Sequence, residues 1–292
     1  MTSIKYSGLL LLTAAIWGFS FVAQRAGMDY VGPFTFNGIR FALGTFSLLP
    51  LFFFNQKKKS KKGAKASSSF ILGGGILGSV LFLAASLQQI GMQYTTAANG
   101  GFITSLYVIL VPIFAIFIGQ KIKLNIWIGA ILATIGLYFL SVHGDLQLNW
   151  GDALVLMSAV FWAVHVMLIG YFAPRYSIIS LSIFQFAATS FLSLITAIIF
   201  EEIILQSILD AAIPIIYGGV FSVGIAYTLQ VFAQKKVASA PAAIILSFES
   251  AFAMLGGWLI LNENQSLQTF LGALLMLLGI VLAQINWNKN TL

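Results

Sequence analysis

The feature that most restricts this chain is a succession of ten apolar runs, each about 20 residues long, divided by short polar segments. They fall near 6–22, 34–54, 70–91, 97–118, 124–142, 152–171, 178–200, 211–233, 240–261 and 267–285. A hydrocarbon core of about 30 Å is crossed by roughly 20 helical residues. Within it every backbone N–H and C=O must find a partner in the protein, which leaves only helices and closed barrels. Barrel strands alternate polar and apolar residues, whereas stretches from Ile198 to Phe200 and from Leu274 to Leu278 are apolar on every face. Charged residues make up 8% of the chain, against about a quarter in soluble domains. The expectation is an all-α polytopic membrane protein with ten transmembrane helices. The connections are too short for a folded soluble domain. The first run lacks a small-x-small cleavage site and reads as a retained helix rather than a signal peptide. With no cysteine, disulfides and Cys-ligated metal centres are excluded.

The net charge of +7 raises the question of a nucleic-acid partner, and the placement of the charges answers it. With a cytoplasmic N-terminus, the inner segments hold Lys5, Lys57, Lys58, Lys59, Lys61, Lys62, Lys65, Lys121, Lys123, Arg175, Lys235, Lys236 and Lys289, 13 of the 15 basic residues. Arg25 lies outside and Arg40 within the second span. Asp29, Asp145, Asp152, Glu201, Glu202, Asp210 and Glu263 all fall outside or at the outer edge. The positive-inside rule then predicts both termini in the cytoplasm. The loop 55–69 carries six of the positive charges without interleaved aromatics. It reads as a topology signal facing anionic lipids near Lys57–Lys65, not as a nucleic-acid arm.

Shifting the first half by about 145 residues places Thr13, Trp17 and Ser20 on Ser158, Trp162 and His165, and Arg40 on Gln185. A shift nearer 143 places Gly129 and Gly136 on Gly272 and Gly279. Five spans per copy is an odd number, so the second copy enters the membrane from the opposite side. This predicts two inverted five-helix repeats, residues 1–145 and 146–292, around a central cavity, an arrangement that recurs in secondary transporters.

Several stretches carry a family resemblance over nearly the whole chain. They are LLLLTAAIWGFSFVAQRAG with Trp17-Gly18, IRF around Arg40, TTAANGGFITSLYVILVPIFA from Thr95, and SAPAAIILSFESAFAMLGGWLILNE ending at Glu263. The chain resembles the EamA-like branch of the drug/metabolite transporter superfamily. It has Glu249-Ser250 where that family usually has Glu-Pro, and Gly119-Gln120 where it usually has Gly-Glu. The resemblance implies ten helices around a cavity and export of small metabolites, amino acids or drug-like compounds.

Ionisable side chains inside spans are costly and mark function by default. Arg40 is suited to binding a substrate carboxylate or phosphate with its planar fork, or to serving as a structural partner of Glu249 or of helix carbonyls. Glu249 can meet a cationic group, carry a proton, pair with Arg40 or pack in the family's usual motif. His165 lacks the converging ligands a metal needs and reads as a hydrogen-bonded cavity histidine with the chemistry of a pH sensor. Trp17 and Ser20 share a helical stripe with Thr13 and Gln24; Trp162 and His165 repeat it with Ser158. Gln185 shares a face with Ser182 and Thr189, and Asn99 and Tyr107 add polar groups to the fourth span. Gln88, Gln89 and Gln230 rank lower, and Pro112 is a candidate hinge. The predicted binding set is Trp17, Ser20, Arg40, Asn99, Tyr107, Trp162, His165, Gln185 and Glu249, either lining a cavity or gluing helices together.

These readings favour a secondary-active or facilitative exporter of amino acids or related metabolites in a prokaryotic plasma membrane. No nucleotide-binding loop, metal site or cofactor is expected, and the chain is read as a monomer or homodimer acting on a small molecule. An intramembrane enzyme would need a catalytic constellation, and a channel would need charge rings or filter carbonyls. Neither pattern is visible.

Overall fold

A computed structural model describes residues 2–60, 69–141, 149–262 and 266–284. Among these residues the chain is entirely helical, without strands. The elements are α1 (Thr2–Gly27), α2 (Pro33–Ser60), α3 (Ser69–Gly91), α4 (Ala97–Ser105), α5 (Tyr107–Phe117), α6 (Leu124–Ser141), α7 (Trp150–Phe172) and α8 (Ile178–Phe200). The short α9 (Leu205–Asp210) and α10 (Ala212–Ile216) follow. A π-helical segment, Tyr217–Tyr227, then leads into α11 (Thr228–Gln234), α12 (Ser239–Leu246), α13 (Glu249–Leu261) and α14 (Leu267–Gln284). Eight stretches are long and apolar enough to cross a membrane. Two more apolar stretches, Leu124–Phe139 and Phe270–Gln284, are shorter.

Four differences from the sequence expectation stand out. Helix α2 runs on to Ser60, past the expected boundary at residue 54, because glutamine and lysine are good helix formers. Lys61, Lys62, Lys65, His143, Asp145, Glu263 and Lys289 lie outside the described residues, as do the side chains of Lys57, Lys58 and Lys59. The fourth expected span breaks at Leu106, well before Pro112, which sits inside α5. The ninth breaks at Ser247 and Phe248. There Ser247 Oγ donates to the Ile244 carbonyl at 2.9 Å, and Ser250 Oγ to the Ser247 carbonyl at 2.8 Å. These hydroxyls offer the backbone an alternative to its helical partners. The eighth carries the π-helical segment in its middle.

The helices pack in reciprocal pairs: α6 on α14, α2 on α8, α3 on α7 and α8, and α1 on α13 and the π-helical segment. The α6–α14 crossing depends on glycine. A Cβ on Gly129 would stand 2.7 Å from the Gly279 carbonyl oxygen, and one on Gly279 would stand 2.6 Å from that of Gly129. Small residues allow this backbone-to-backbone approach, which supplies packing where lipid gives no hydrophobic drive.

Polar clamps fix the helix ends. Glu201, at the end of α8, accepts hydrogen bonds from Phe34 N and Thr35 N at 2.8 Å each and from Thr35 Oγ1 at 2.7 Å. It thereby satisfies free N–H groups in the first turn of α2. Asn149 and Asp152 form a capping box at the start of α7, and Asp152 also accepts from Thr95 Oγ1 at 2.7 Å.

Candidate binding cavity

A cavity of about 430 Å³, counting its open mouth, lies among α1, α2, α3, α4, α5, α7, the π-helical segment, α11 and α13. Its walls are Trp17, Ser20, Phe21, Gln24, Arg40, Gln88, Thr104, Tyr107, Trp162, Val166, Ser222, Tyr227, Gln230 and Glu249. The mixture of apolar walls with a few polar groups is the usual composition of a small-molecule pocket, here narrowed in its interior to the space of about one or two water-sized groups.

The two breaks create the centre of this cavity. Ser105 Oγ donates to the Ser247 carbonyl at 3.1 Å, so the α4–α5 break touches the α12–α13 break. Beside it the Tyr107 hydroxyl donates to Glu249 Oε1 at 3.0 Å. Glu249 is the first residue of α13, so its carboxylate sits at a helix N-terminus. The helix dipole favours a negative charge there by about 0.3–1 kcal/mol, and more when partly buried. Gly18 lets this junction come close to α1: a Cβ there would lie 2.6 Å from the Glu249 carbonyl oxygen and collide with the Phe252 side chain. That accounts for the glycine of the Trp17-Gly18 pair.

Arg40 is 2% exposed. Its Nε donates to Asn37 Oδ1 at 2.9 Å, and its guanidinium lies 5.3 Å from the Phe36 ring centre and 5.1 Å from that of Phe41. Cation–π contacts of this kind contribute about 0.5–1 kcal/mol, and more when desolvated. Among the described residues no carboxylate lies within 4 Å of it; the ion pair present joins Arg25 to Asp29 at 2.8 Å, elsewhere. Of the roles open to Arg40, pairing with Glu249 is therefore not the one seen in this structure. Both charges line one cavity with uncharged partners only.

The aromatic wall centres on Tyr227, a residue the sequence reading did not single out. Trp17 lies 4.6 Å from it, tilted by 57°, and Trp162 stacks on it at 6.1 Å and 22°. Trp17 Nε1 donates to the Ser222 carbonyl at 3.2 Å, so the π-helical segment supplies the acceptor. Tyr227 and Gln230, three residues apart, share a helical face. Tyr217, Phe221 and Phe232 share the apolar run of Tyr227, so the sequence signal was faint: Gln230, three residues on, is the side-chain amide nearest to it.

Six of the nine expected site residues, Trp17, Ser20, Arg40, Tyr107, Trp162 and Glu249, line the cavity. Three do not. His165 and Gln185 are fully buried behind the aromatic wall, where His165 Nε2 and Gln185 Oε1 share a hydrogen bond of 3.0 Å. Trp162 and Tyr227 meet the His165 ring edge-on, at 5.9 and 6.1 Å. Asn99 lies in a separate pocket with Arg25, Gln93, Tyr94, Thr95, Thr96 and Asn149. Its backbone N–H donates to Thr96 Oγ1 at 3.1 Å, as part of the N-cap of α4. Among the described residues no cluster of three or more metal-ligating His, Cys, Asp or Glu side chains occurs.

Comparison with known proteins agrees with this architecture. The sequence model of the EamA-like transporter family matches twice, over residues 5–142 and 149–284. An uncharacterized transporter of Archaeoglobus fulgidus is 31% identical over 278 residues, which cover 94% of this chain and 84% of that protein. The uncharacterized transporter YoaV of Bacillus subtilis is 24% identical over 298 residues, covering 97% of both. A solved crystal structure superposes with a TM-score of 0.75 at 18% identity, across 95% of this chain and 97% of the other, which establishes likeness of fold. Apolar helices, a mixed polar and aromatic cavity and a family match across both halves lead to one conclusion: the chain belongs to the EamA-like transporter family of multi-pass membrane proteins.

Proposed function

We propose that this protein is a secondary-active or facilitative carrier that exports amino acids or related small zwitterionic metabolites by alternating access. The observation that carries the reading is one cavity holding Arg40 and Glu249 without a mutual ion pair. A guanidinium there is matched to a carboxylate, and a carboxylate to an ammonium group. Burial makes each charge costly until its counterpart arrives with the ligand. The set Trp17, Ser20, Tyr107 and Trp162 supplies walls and hydrogen bonds, while His165 and Gln185 brace the wall from behind. Asn99 belongs to a pocket at the outer end of the same bundle.

The scaffold of this reading is ten spans in two inverted repeats, residues 1–145 and 146–292, with both termini cytoplasmic, in a prokaryotic plasma membrane. Two contacts support it. Ser105 with Ser247 and Tyr107 with Glu249 are each 142 positions apart, close to the shift that aligns the halves. Corresponding residues thus meet at the centre of the bundle, as they do on a pseudo-twofold axis. Broken helices meeting at mid-membrane recur at the binding sites of transporters built this way.

The test is counterflow in proteoliposomes with a panel of radiolabelled amino acids, repeated with Arg40→Ala. Saturable exchange of zwitterions that Arg40→Ala abolishes is expected. Exchange indifferent to Arg40 would overturn the reading of the cavity, and a flux that does not saturate would make the protein a channel. A reporter fused after Leu146 and found in the cytoplasm would overturn the orientation.

A further inference from the structure

Three side chains of the cavity wall carry buried polar atoms without a partner among the described residues: Gln24, at Oε1 alone since its Nε2 donates to Ser20 Oγ at 3.5 Å, and Trp162 and Gln230. Gln230 is fully buried, and among the described residues neither its Nε2 nor its Oε1 meets a hydrogen-bond partner. Trp162 is 7% exposed, and its Nε1 is likewise unpartnered. Both line the cavity with Tyr227: Trp162 stacks on that ring, and Gln230 follows it by three residues, on the same helical face. Trp17, the other tryptophan in the wall, has its N–H bonded to Ser222, so an idle indole N–H is not a general property of this site. Buried polar groups are satisfied in native proteins, and each one left unmet costs about 1–3 kcal/mol. The wall leaves two donors and two acceptors unmet, and Trp162 with Gln230 supplies both donors and one of the acceptors.

We infer that Trp162 and Gln230 form a subsite for a carboxamide on the substrate, in addition to the charges read by Arg40 and Glu249. This rests on the zwitterion reading above. The match is one of hydrogen-bond polarity. A carboxamide oxygen accepts from Trp162 Nε1 and Gln230 Nε2, while its NH₂ group donates to Gln230 Oε1. A carboxylate in the same place would set a negative oxygen against Gln230 Oε1. An apolar side chain would leave all three polar atoms unmet. Sites built to hydrogen-bond a substrate reject analogues lacking the group far more strongly than apolar pockets reject a missing methylene.

The experiment compares glutamine with glutamate, which differs at one atom, and with methionine, of similar size and without the amide. Initial rates of exchange into glutamine-loaded proteoliposomes are measured for the wild type, Trp162→Phe and Gln230→Leu. The readout is the ratio of rates between substrates, so a general loss of activity does not enter it. Wild-type protein is expected to favour glutamine about ten-fold over both competitors, equivalent to one unmet buried hydrogen bond. Trp162→Phe keeps an aromatic ring and loses the pyrrole part of the indole together with its N–H; it and Gln230→Leu are each expected to bring the ratio below about two-fold. A wild type that prefers methionine or glutamate, or variants with an unchanged ratio, would overturn the carboxamide subsite alone. If no amino acid exchanges at all, the zwitterion reading falls and takes the subsite with it.

Discussion

In the first half of the chain Trp17 gives its indole N–H to the Ser222 carbonyl; in the second, Trp162, 145 positions later, keeps its N–H free. The same shift relates Ser20 to His165 and Arg40 to Gln185, with equally different outcomes. His165 and Gln185 share one hydrogen bond at 3.0 Å behind the wall. Ser20 is too short to reach across in this way, and Arg40 faces the cavity. Apolar partners have diverged less: Phe41 and Phe186, also 145 apart, still meet at 6.3 Å. Between positions 145 apart, the aromatic contact is kept while the polar groups differ, which places the polar side chains of the cavity wall unevenly between the two halves of the chain.

The comparison is broken most directly by Arg40→Gln, which installs the residue of the second half. About a hundred-fold loss of zwitterion counterflow is expected, because a buried hydrogen bond to a charged group is worth up to about 3 kcal/mol. Wild-type exchange would show that the asymmetry at this position is incidental. Where the halves are alike, substitutions should act alike. Gly136→Leu and Gly279→Leu, 143 positions apart, each force a side chain against an opposing carbonyl that a Cβ would already meet at 2.6 Å. Both should lower thermal stability in detergent by a similar amount, about 2 kcal/mol. Tyr107→Phe removes the donor to Glu249 and should slow exchange about ten-fold, in line with a lost charge-assisted bond. The smallest effect separates the tryptophans. Trp17→Phe leaves the Ser222 carbonyl unmet, which should cost about 1 kcal/mol of stability beyond the lost ring packing. Trp162→Phe loses the same ring packing but no protein hydrogen bond, so thermal melts should place it above Trp17→Phe in stability by about that amount.

Among the described residues eight of the ten expected spans are helical stretches of full length, legible because a run of apolar residues about 20 long has few alternatives. The interruptions were not. No glycine or proline marks Leu106, and the ninth span yields at Ser247 because two serine hydroxyls capture carbonyls, a choice the apolar run around them conceals. The extent of the π-helical segment is equally hidden, although its glycines gave a hint of close packing. Among site residues, Trp17, Arg40, Tyr107, Trp162 and Glu249 were visible as polar or aromatic exceptions within apolar spans. Helical spacing assigns a residue to a face but does not identify what covers that face. That is why His165 and Gln185, on the expected faces, turn out to cover one another. Tyr227 went unnoticed because a tyrosine in a run rich in aromatics has no local mark of difference.

The Glu201 clamp on α2 has a bearing on where Arg40 sits. An apolar helix slides along the bilayer normal at a cost of only fractions of a kcal/mol per ångström of mismatch. Glu201 removes that freedom by holding Phe34 and Thr35 against the end of α8. Arg40 follows Thr35 by five residues, which at 1.5 Å per residue suspends its backbone about 8 Å along the helix from the clamp. The depth of the positive charge is thus gauged from a fixed point in the protein, as a plumb line is gauged from its hook. A thicker or thinner membrane can tilt the bundle without moving the guanidinium relative to the cavity it lines.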